Sequence, residues 1–283
     1  MKTKLSKNIF IRFALSKIYV MNKYAGIVIE AALEAGKEIL EIYKTDFNVE
    51  FKDDKSPLTM ADKNANKVII RFLKTTGIPV LSEEGRNIPY NERKNWTQLW
   101  IVDPLDGTKE FVKKNGEFTV NIALVKDGSP VFGVVYAPFL DILYVGDVKE
   151  GAYKVEKASE NPDLMKALNA DNKLPIIQKK DYYGIVASRS HLTKETENFI
   201  KKLEQEHNNV KIVSKGSSLK LCMVAEGEAD IYPRFAPTSE WDTAAGHAVV
   251  VASGGKVVKA EIPEKNVVYN KINILNPWFI VKR

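Results

Sequence analysis

The segment Trp100-Ile101-Val102-Asp103-Pro104-Leu105-Asp106-Gly107-Thr108 sets two carboxylates three residues apart where an apolar run meets a proline and an Asp-Gly pair. Trp100 to Val102 read as a buried strand. Pro104 cannot donate to a ladder, so the strand is expected to break there into a turn. Asp106-Gly107 then opens a helix whose first N–H groups have no intrahelical partners. Hard divalent cations take carboxylate oxygens, and phosphates take exposed helix N-termini. The segment therefore points to metal-assisted chemistry on a phosphate ester. The competing reading is ordinary turn and cap duty, for which Asp-Pro and Asp-Gly are common.

Other acidic segments weigh against that plainer reading. Val80-Leu81-Ser82-Glu83-Glu84-Gly85 is a second apolar run ending in carboxylates, and Glu240-Trp241-Asp242-Thr243-Ala244-Ala245-Gly246 puts an Asp at a predicted helix start. Thr59-Met60-Ala61-Asp62 has the spacing of a capping box. Three strand-end or helix-start carboxylate clusters resemble a dispersed metal cage. Glu84 is read as a solvated neighbour rather than a ligand.

The elements that must position these groups follow from spacing. Residues 24, 27, 28, 31, 32, 35, 39 and 42 are apolar, which predicts a helix over Lys23 to Lys44. Asn48 to Phe51 suggests a short strand, and the capping box starts a helix through about Lys74. Phe118 to Val125 and Val131 to Ala137 flank Lys126-Asp127-Gly128-Ser129-Pro130, which predicts a hairpin with a slightly long loop. Residues 157–180 read as a polar surface excursion between subdomains at about 21–156 and 181–283. Beyond it, strands at Tyr183 to Ala187, Val210 to Val213 and Ala229 to Tyr232 alternate with helices at Thr193 to Glu204, Ser217 to Glu226 and Thr243 to Ala252. Such alternation predicts a mixed α/β (α+β) fold with sheets between helical layers.

With 283 residues and 45% hydrophobic content, the chain can bury a substantial core. One cysteine, Cys222, excludes an intramolecular disulfide framework and a multi-cysteine zinc site; its apolar setting predicts packing. Residues 1–20 carry Lys2, Lys4, Lys7, Arg12 and Lys17 with no acid, and without them the net +6 falls close to neutral. The excess charge is a tail property, so no nucleic acid partner is expected for the folded part, 21–283. The extension resembles a signal peptide only superficially, because Arg12 and Lys17 interrupt its apolar residues and no clear small-residue cleavage site follows, and no run is long enough for stable membrane insertion. Met21 is an alternative translation start. A basic arm touching the inner face of the cell membrane is the competing reading of residues 1–20.

Ser82-Glu83-Glu84-Gly85, Asp103-Pro104-Leu105-Asp106-Gly107-Thr108 and Trp241-Asp242-Thr243-Ala244-Ala245-Gly246 together resemble the inositol monophosphatase superfamily of magnesium-dependent, lithium-sensitive phosphatases. Lys109-Glu110-Phe111, then Asn115 to Leu124, is similar to the 3'(2'),5'-bisphosphate nucleotidases of the bacterial CysQ type, and Leu275-Asn276-Pro277 is a further family-like segment. The resemblance implies a layered α-β-α-β-α sandwich of the inositol monophosphatase and fructose-1,6-bisphosphatase type. It implies two Mg2+ ions, one held by Glu83, Asp103 and the Leu105 carbonyl and one by Asp103, Asp106 and Asp242, with room for a third near Glu83. Asp62, Glu83 and Thr108 become the proton-handling residues. Glu83, Asp106, Gly107, Thr108 and Asp242 meet the reacting phosphate, and His191, Ser217, Lys220 and Arg234 meet the rest of a nucleotide carrying two separated phosphates.

The resulting expectation is a cytoplasmic phosphomonoesterase, monomer or homodimer, in sulfur-nucleotide recycling. It removes the 3'-phosphate of adenosine 3',5'-bisphosphate, with the sulfated analogue 3'-phosphoadenosine 5'-phosphosulfate as a second substrate. An inositol or sugar phosphatase is the nearest alternative, and a nucleotide sensor without catalysis is the alternative from another class.

Overall fold

The computed structural model describes residues 21–46, 49–51, 57–176, 179–187 and 193–283. The basic extension, Asn48 and His191 lie outside the described residues. Helices α1 (Ala25–Tyr43) and α2 (Met60–Lys74) flank the two-residue strands β1 (Glu50–Phe51) and β2 (Pro57–Leu58). A six-stranded sheet follows in spatial order β3 (Val80–Ser82), β4 (Gln98–Asp106), β5 (Thr119–Lys126), β6 (Ser129–Ala137), β7 (Ile142–Asp147) and β8 (Gly151–Glu156). Strands β3 and β4 are parallel and the later pairs antiparallel; the five-residue helix α3 (Thr108–Val112) connects β4 to β5.

The second half supplies β9 (Tyr183–Val186), α4 (Lys194–Glu206), β10 (Val210–Val213), α5 (Leu219–Glu226), β11 (Ile231–Arg234), α6 (Glu240–Ala252), β12 (Lys256–Lys259) and β13 (Phe279–Lys282). Its strands form a sheet in the order β10-β9-β11-β13-β12.

Side chains alternate across the first sheet, as a pleated strand requires. Trp100, Val102, Ile122, Leu124 and Val134 pack with α1 and α2. Leu99, Ile101, Ala123, Val125 and Val135 face the other way, onto α5 and α6, which also meet Val257, Phe279 and Val281 of the second sheet. Ile200 and Leu203 of α4 cover Ile185 and Ile231 on the outer face of that sheet. Reading through the molecule gives helix, sheet, helix, sheet, helix, the α-β-α-β-α sandwich. Cys222 is buried within it.

Helix α6 lies unusually close to the first sheet because both surfaces are small. A Cβ on Gly133 would stand 2.5 Å from the Ala245 carbonyl oxygen, and one on Gly146 would stand 2.5 Å from Val249 Cα. On the helix side, Ala244, Ala245, Ala248 and Val249 are buried. The glycines thus fix the depth of α6, and with it the position of the helix N-terminus.

Several local expectations are corrected. Strand β4 runs through Pro104 to Asp106, with a register irregularity between Asp103 and Asp106; a bulge asks no ladder N–H of the proline. The β5–β6 loop is only Asp127 (φ 48°) and Gly128 (φ 75°), because two left-handed residues close a tight hairpin with the right twist. The 157–180 excursion carries one-turn helices at Ala158–Glu160, Leu164–Ala167 and Ala170–Asn172, pinned by buried Ala158, Leu168 and Leu174. Helix α5 begins at Leu219 because Ser217 takes φ 45°. Strand β11 begins at Ile231, since Ala229 is still engaged with Met223 at the end of α5. Helix α6 begins at Glu240 rather than Thr243. Among the described residues no helix is long and apolar enough to cross a membrane.

Two glycine substitutions separate packing from propensity. Gly133→Ala forces α6 away from the sheet and is expected to lower stability by about 1–3 kcal/mol. A Cβ on Gly26, in the first turn of α1, meets nothing within 4 Å, so Gly26→Ala should be neutral or stabilising by up to about 1 kcal/mol. Urea unfolding of both variants checks the contrast; equal midpoints would mean α6 is not held at contact distance.

Candidate active site

Two helix N-termini and one bulged strand bring the acidic residues together. Asp62 is the third residue of α2 and Asp242 the third of α6, and the same device holds both. The N-cap N–H of Thr59 donates to Asp62 Oδ2 at 2.8 Å, and that of Ser239 donates to Asp242 Oδ2 at 2.8 Å. Each carboxylate is fixed through one oxygen; the other oxygen of Asp242 is left for a ligand, and that of Asp62 faces the Thr108 hydroxyl. The Thr59 hydroxyl also donates to Asp62 Oδ2 at 2.7 Å.

Asp103 and Asp106 flank the β4 bulge. The Leu105 N–H folds back to Asp103 Oδ1 at 3.0 Å, and the Ser218 backbone N–H, just before α5, is directed at Asp106. Parallel pairing of Ser82 with Val102 puts Glu83 beside Asp103, and the Glu83 N–H donates to the Val102 carbonyl at 3.1 Å. One carboxylate oxygen from each of Glu83, Asp103 and Asp242 lies within 4.8 Å of the others.

This cluster is strained electrostatically. Burial, then Glu83, Asp106 and Asp242, push the Asp103 carboxyl well above its ordinary range. Burial and Asp106 push Asp242 up to about 8, against the pull of the Ser239 N–H. Asp106 rises to about 6 through burial, opposed by the Lys220 ammonium. Asp62 rises to about 6 through burial, with Glu84 adding repulsion. Glu84 is half-buried and near enough to act on Asp62, so it is less solvated than expected. Converging hard oxygen donors that repel one another fit a divalent cation, which removes the repulsion.

Thr108 opens α3, and its hydroxyl lies 3.3 Å from both Asp62 Oδ1 and the Leu105 carbonyl. It therefore links the Asp62 carboxyl to the bulge. Gly107 has φ 90°, and a Cβ there would meet Ser217 Cβ at 3.1 Å and the Glu117 carbonyl at 3.2 Å, so both conformation and contact favour glycine. Ser217 is not a helix cap. Its hydroxyl lies 3.0 Å from that of Thr119, which also reaches Ser218 at 2.8 Å.

A cleft of about 410 Å³ opens from Asp106, Thr108 and Asp242 and is lined further on by Ser217, Lys220 and Arg234. Burial lowers the Lys220 ammonium, while Asp106 opposes that fall. Arg234 donates from Nη2 to the Pro237 carbonyl at 3.1 Å, and its buried Nε has no hydrogen-bond partner among the described residues. The structure thus brings together the expected site residues other than His191, which lies outside the described residues. Tyr232 and Lys113 also line the cleft and were not singled out from sequence, and Lys109, read there only as part of a family-like motif, joins them. The available signal was the two-residue spacing of Tyr232 and Arg234, which puts them on one face if the strand reaches Arg234.

The model of the inositol monophosphatase family matches residues 21–277. A 3'(2'),5'-bisphosphate nucleotidase CysQ of Salmonella typhimurium is 46% identical over 81% of this chain and 88% of its own length. The protein of that name from Buchnera aphidicola is 43% identical over 84% and 85%. Among solved structures, CysQ from Bacteroides thetaiotaomicron matches with TM-score 0.84 and 50% identity, covering 93% of this chain and 98% of that one. Inositol monophosphatase II from Staphylococcus aureus, at 22% identity and TM-score 0.68 over 91% and 90%, shares the fold. With its sandwich, its carboxylate cluster and these matches in agreement, the chain belongs to the inositol monophosphatase family.

Proposed function

We propose that this chain is a magnesium-dependent 3'(2'),5'-bisphosphate nucleotidase that converts adenosine 3',5'-bisphosphate to AMP and inorganic phosphate. The observation that carries the reading is the pairing, in one cleft, of Asp106 and Asp242, the latter part of the carboxylate cluster, with Lys220 and Arg234. One pole suits a metal and a reacting phosphate; the other suits a second anion on the same small molecule. The names of the relatives, 3'(2'),5'-bisphosphate nucleotidase CysQ at 43–46% identity, support the same substrate class. 3'-Phosphoadenosine 5'-phosphosulfate is a second substrate in this reading, and the role is recycling of sulfur-assimilation nucleotides in the cytoplasm.

Glu83, Asp103 and the Leu105 carbonyl would hold one Mg2+, and Asp103, Asp106 and Asp242 a second, with a third near Glu83. Bound magnesium supplies the positive charge that lets a phosphate dianion approach these carboxylates, and it acidifies a coordinated water. The chain does the rest. The N–H groups of Gly107 and Thr108 orient the phosphate oxygens. The Thr108 hydroxyl accepts a proton from the attacking water as it passes its own to Asp62, whose carboxyl at about 6 is poised near neutrality. Glu83 shares this duty. His191, Ser217, Lys220 and Arg234 fix the nucleotide so that the ribose oxygen leaves in line.

Phosphate release from adenosine 3',5'-bisphosphate, inositol 1-phosphate and fructose 1,6-bisphosphate, compared with magnesium and with chelator, tests the assignment. A clear preference for the nucleotide is expected; preference for either sugar phosphate would replace the substrate and keep the metal site.

Two further outcomes follow. Asp106→Asn should cut kcat by about 100-fold or more, whereas Arg234→Ala should raise KM about tenfold with kcat changed less than about threefold. Undiminished turnover in Asp106→Asn would remove it from the ligand set. Without metal, the folded chain keeps protons on carboxyls that titrate at about 6 and about 8 but ordinarily at 3.8. That contribution to stability is complete below about pH 4 and is lost as pH rises through about 8. Magnesium should therefore raise the thermal midpoint more at pH 8 than at pH 6; an equal or reversed effect would contradict metal binding to these groups.

A further inference from the structure

Strand β11 contributes to the wall of the cleft. Strand β11 pairs antiparallel with β13, with Tyr232 opposite Val281 and Arg234 opposite Phe279. Two-residue spacing puts Tyr232 and Arg234 on one face of the pleat, and both line the cleft. The Tyr232 ring is 3% exposed and packs edge-on against Phe279, with centroids 6.1 Å apart at 90°. Its position is therefore set by the core, while its hydroxyl end lies in the fields of Arg234, Asp106 and Asp242. Arg234 donates to the Pro237 carbonyl and its guanidinium also bonds the Tyr232 hydroxyl, while its Nε is buried without a partner among the described residues.

We propose that Tyr232 is a specificity-determining residue, its phenol forming with the orphaned Arg234 Nε a paired donor for the second anion of the substrate. This rests on the bisphosphate reading above. A desolvated N–H without an acceptor is costly, and a ligand oxygen supplies one. A carboxylate in place of the phenol would repel that anion and an amine would add charge; the phenol donates while neutral. Burial pushes its pKa up to about 12, so it remains a donor at neutral pH. Lys220 adds charge to the same wall, since it senses both Asp106 and Arg234. In the bisphosphate reading these donors serve the second anion, a 5'-phosphate or 5'-phosphosulfate.

The test is Tyr232→Phe, which removes one oxygen and keeps the ring against Phe279. KM for adenosine 3',5'-bisphosphate should rise about tenfold, the loss of one hydrogen bond to a charged group, with kcat changed less than about twofold. KM for adenosine 3'-monophosphate, which lacks the second anion, should not move. In an Arg234→Ala background the Tyr232→Phe effect should shrink, because the two donors act as one unit. An unchanged KM for the bisphosphate, an equal rise for both substrates, or full additivity with Arg234→Ala would each overturn the role. If the unaltered protein releases no phosphate from the bisphosphate, it is the underlying substrate reading that fails.

Discussion

Mutual repulsion among desolvated carboxylates is the constraint around which this molecule is built. Glu83, Asp103, Asp106 and Asp242 arrive from three separate places in the chain, and each makes Asp103 harder to ionise or is itself harder to ionise for being there. What holds them is a set of backbone N–H groups that the fold leaves free: the N-cap of α6, the β4 bulge and the residue before α5. Those donors are available because helix starts and bulges do not use them internally. The same cluster that is unfavourable alone becomes favourable around a divalent cation, so the cost of assembling it is offset by binding.

Helix α6 links this site to the stability of the whole domain. It is sandwiched between the two sheets, and its small residues let the first sheet approach to backbone contact at Gly133 and Gly146. The packing that fixes its axis also fixes where Asp242 stands. Glu240, fully buried two residues earlier, accepts from the Asn270 and Lys271 N–H groups at 2.6 and 2.9 Å and from Lys271 Nζ at 2.6 Å. Asn276 donates to the Ser239 carbonyl at 2.7 Å. The start of the helix is thereby tied to the returning C-terminal segment, and Leu275-Asn276-Pro277 acquires a physical role as a brace for the N-cap of α6.

The cleft is chemically divided. Its carboxylate end belongs to the first sheet and the start of α6, and its cationic end to α5 and β11 of the second half. A ligand that spans the cleft meets carboxylates from one half and the Lys220 and Arg234 cations from the other. The Ser217 turn, in contact with Gly107 and Thr119, is the joint between the two ends.

Much of this was legible in the residues themselves. The capping box at Thr59 and Asp62, the helical spacing of α1 and the alternation in β5 and β6 are local patterns, and local hydrogen bonding and burial obey them. The carboxylate clusters were visible as three separate segments, and only resemblance to a family joined them into a ligand set. Tertiary structure decided the rest: that Pro104 sits in a bulge, that Ser217 is left-handed rather than a cap, that β11 extends to Arg234, and that Tyr232 shares its face. Each of these depends on a partner distant in sequence, whether β5 against β4, Gly107 against Ser217 or β13 against β11. Local chain chemistry determines which elements form and which residues can bind a cation. The distances among those residues depend on which strands pair and how closely a helix packs, and no local pattern contains them.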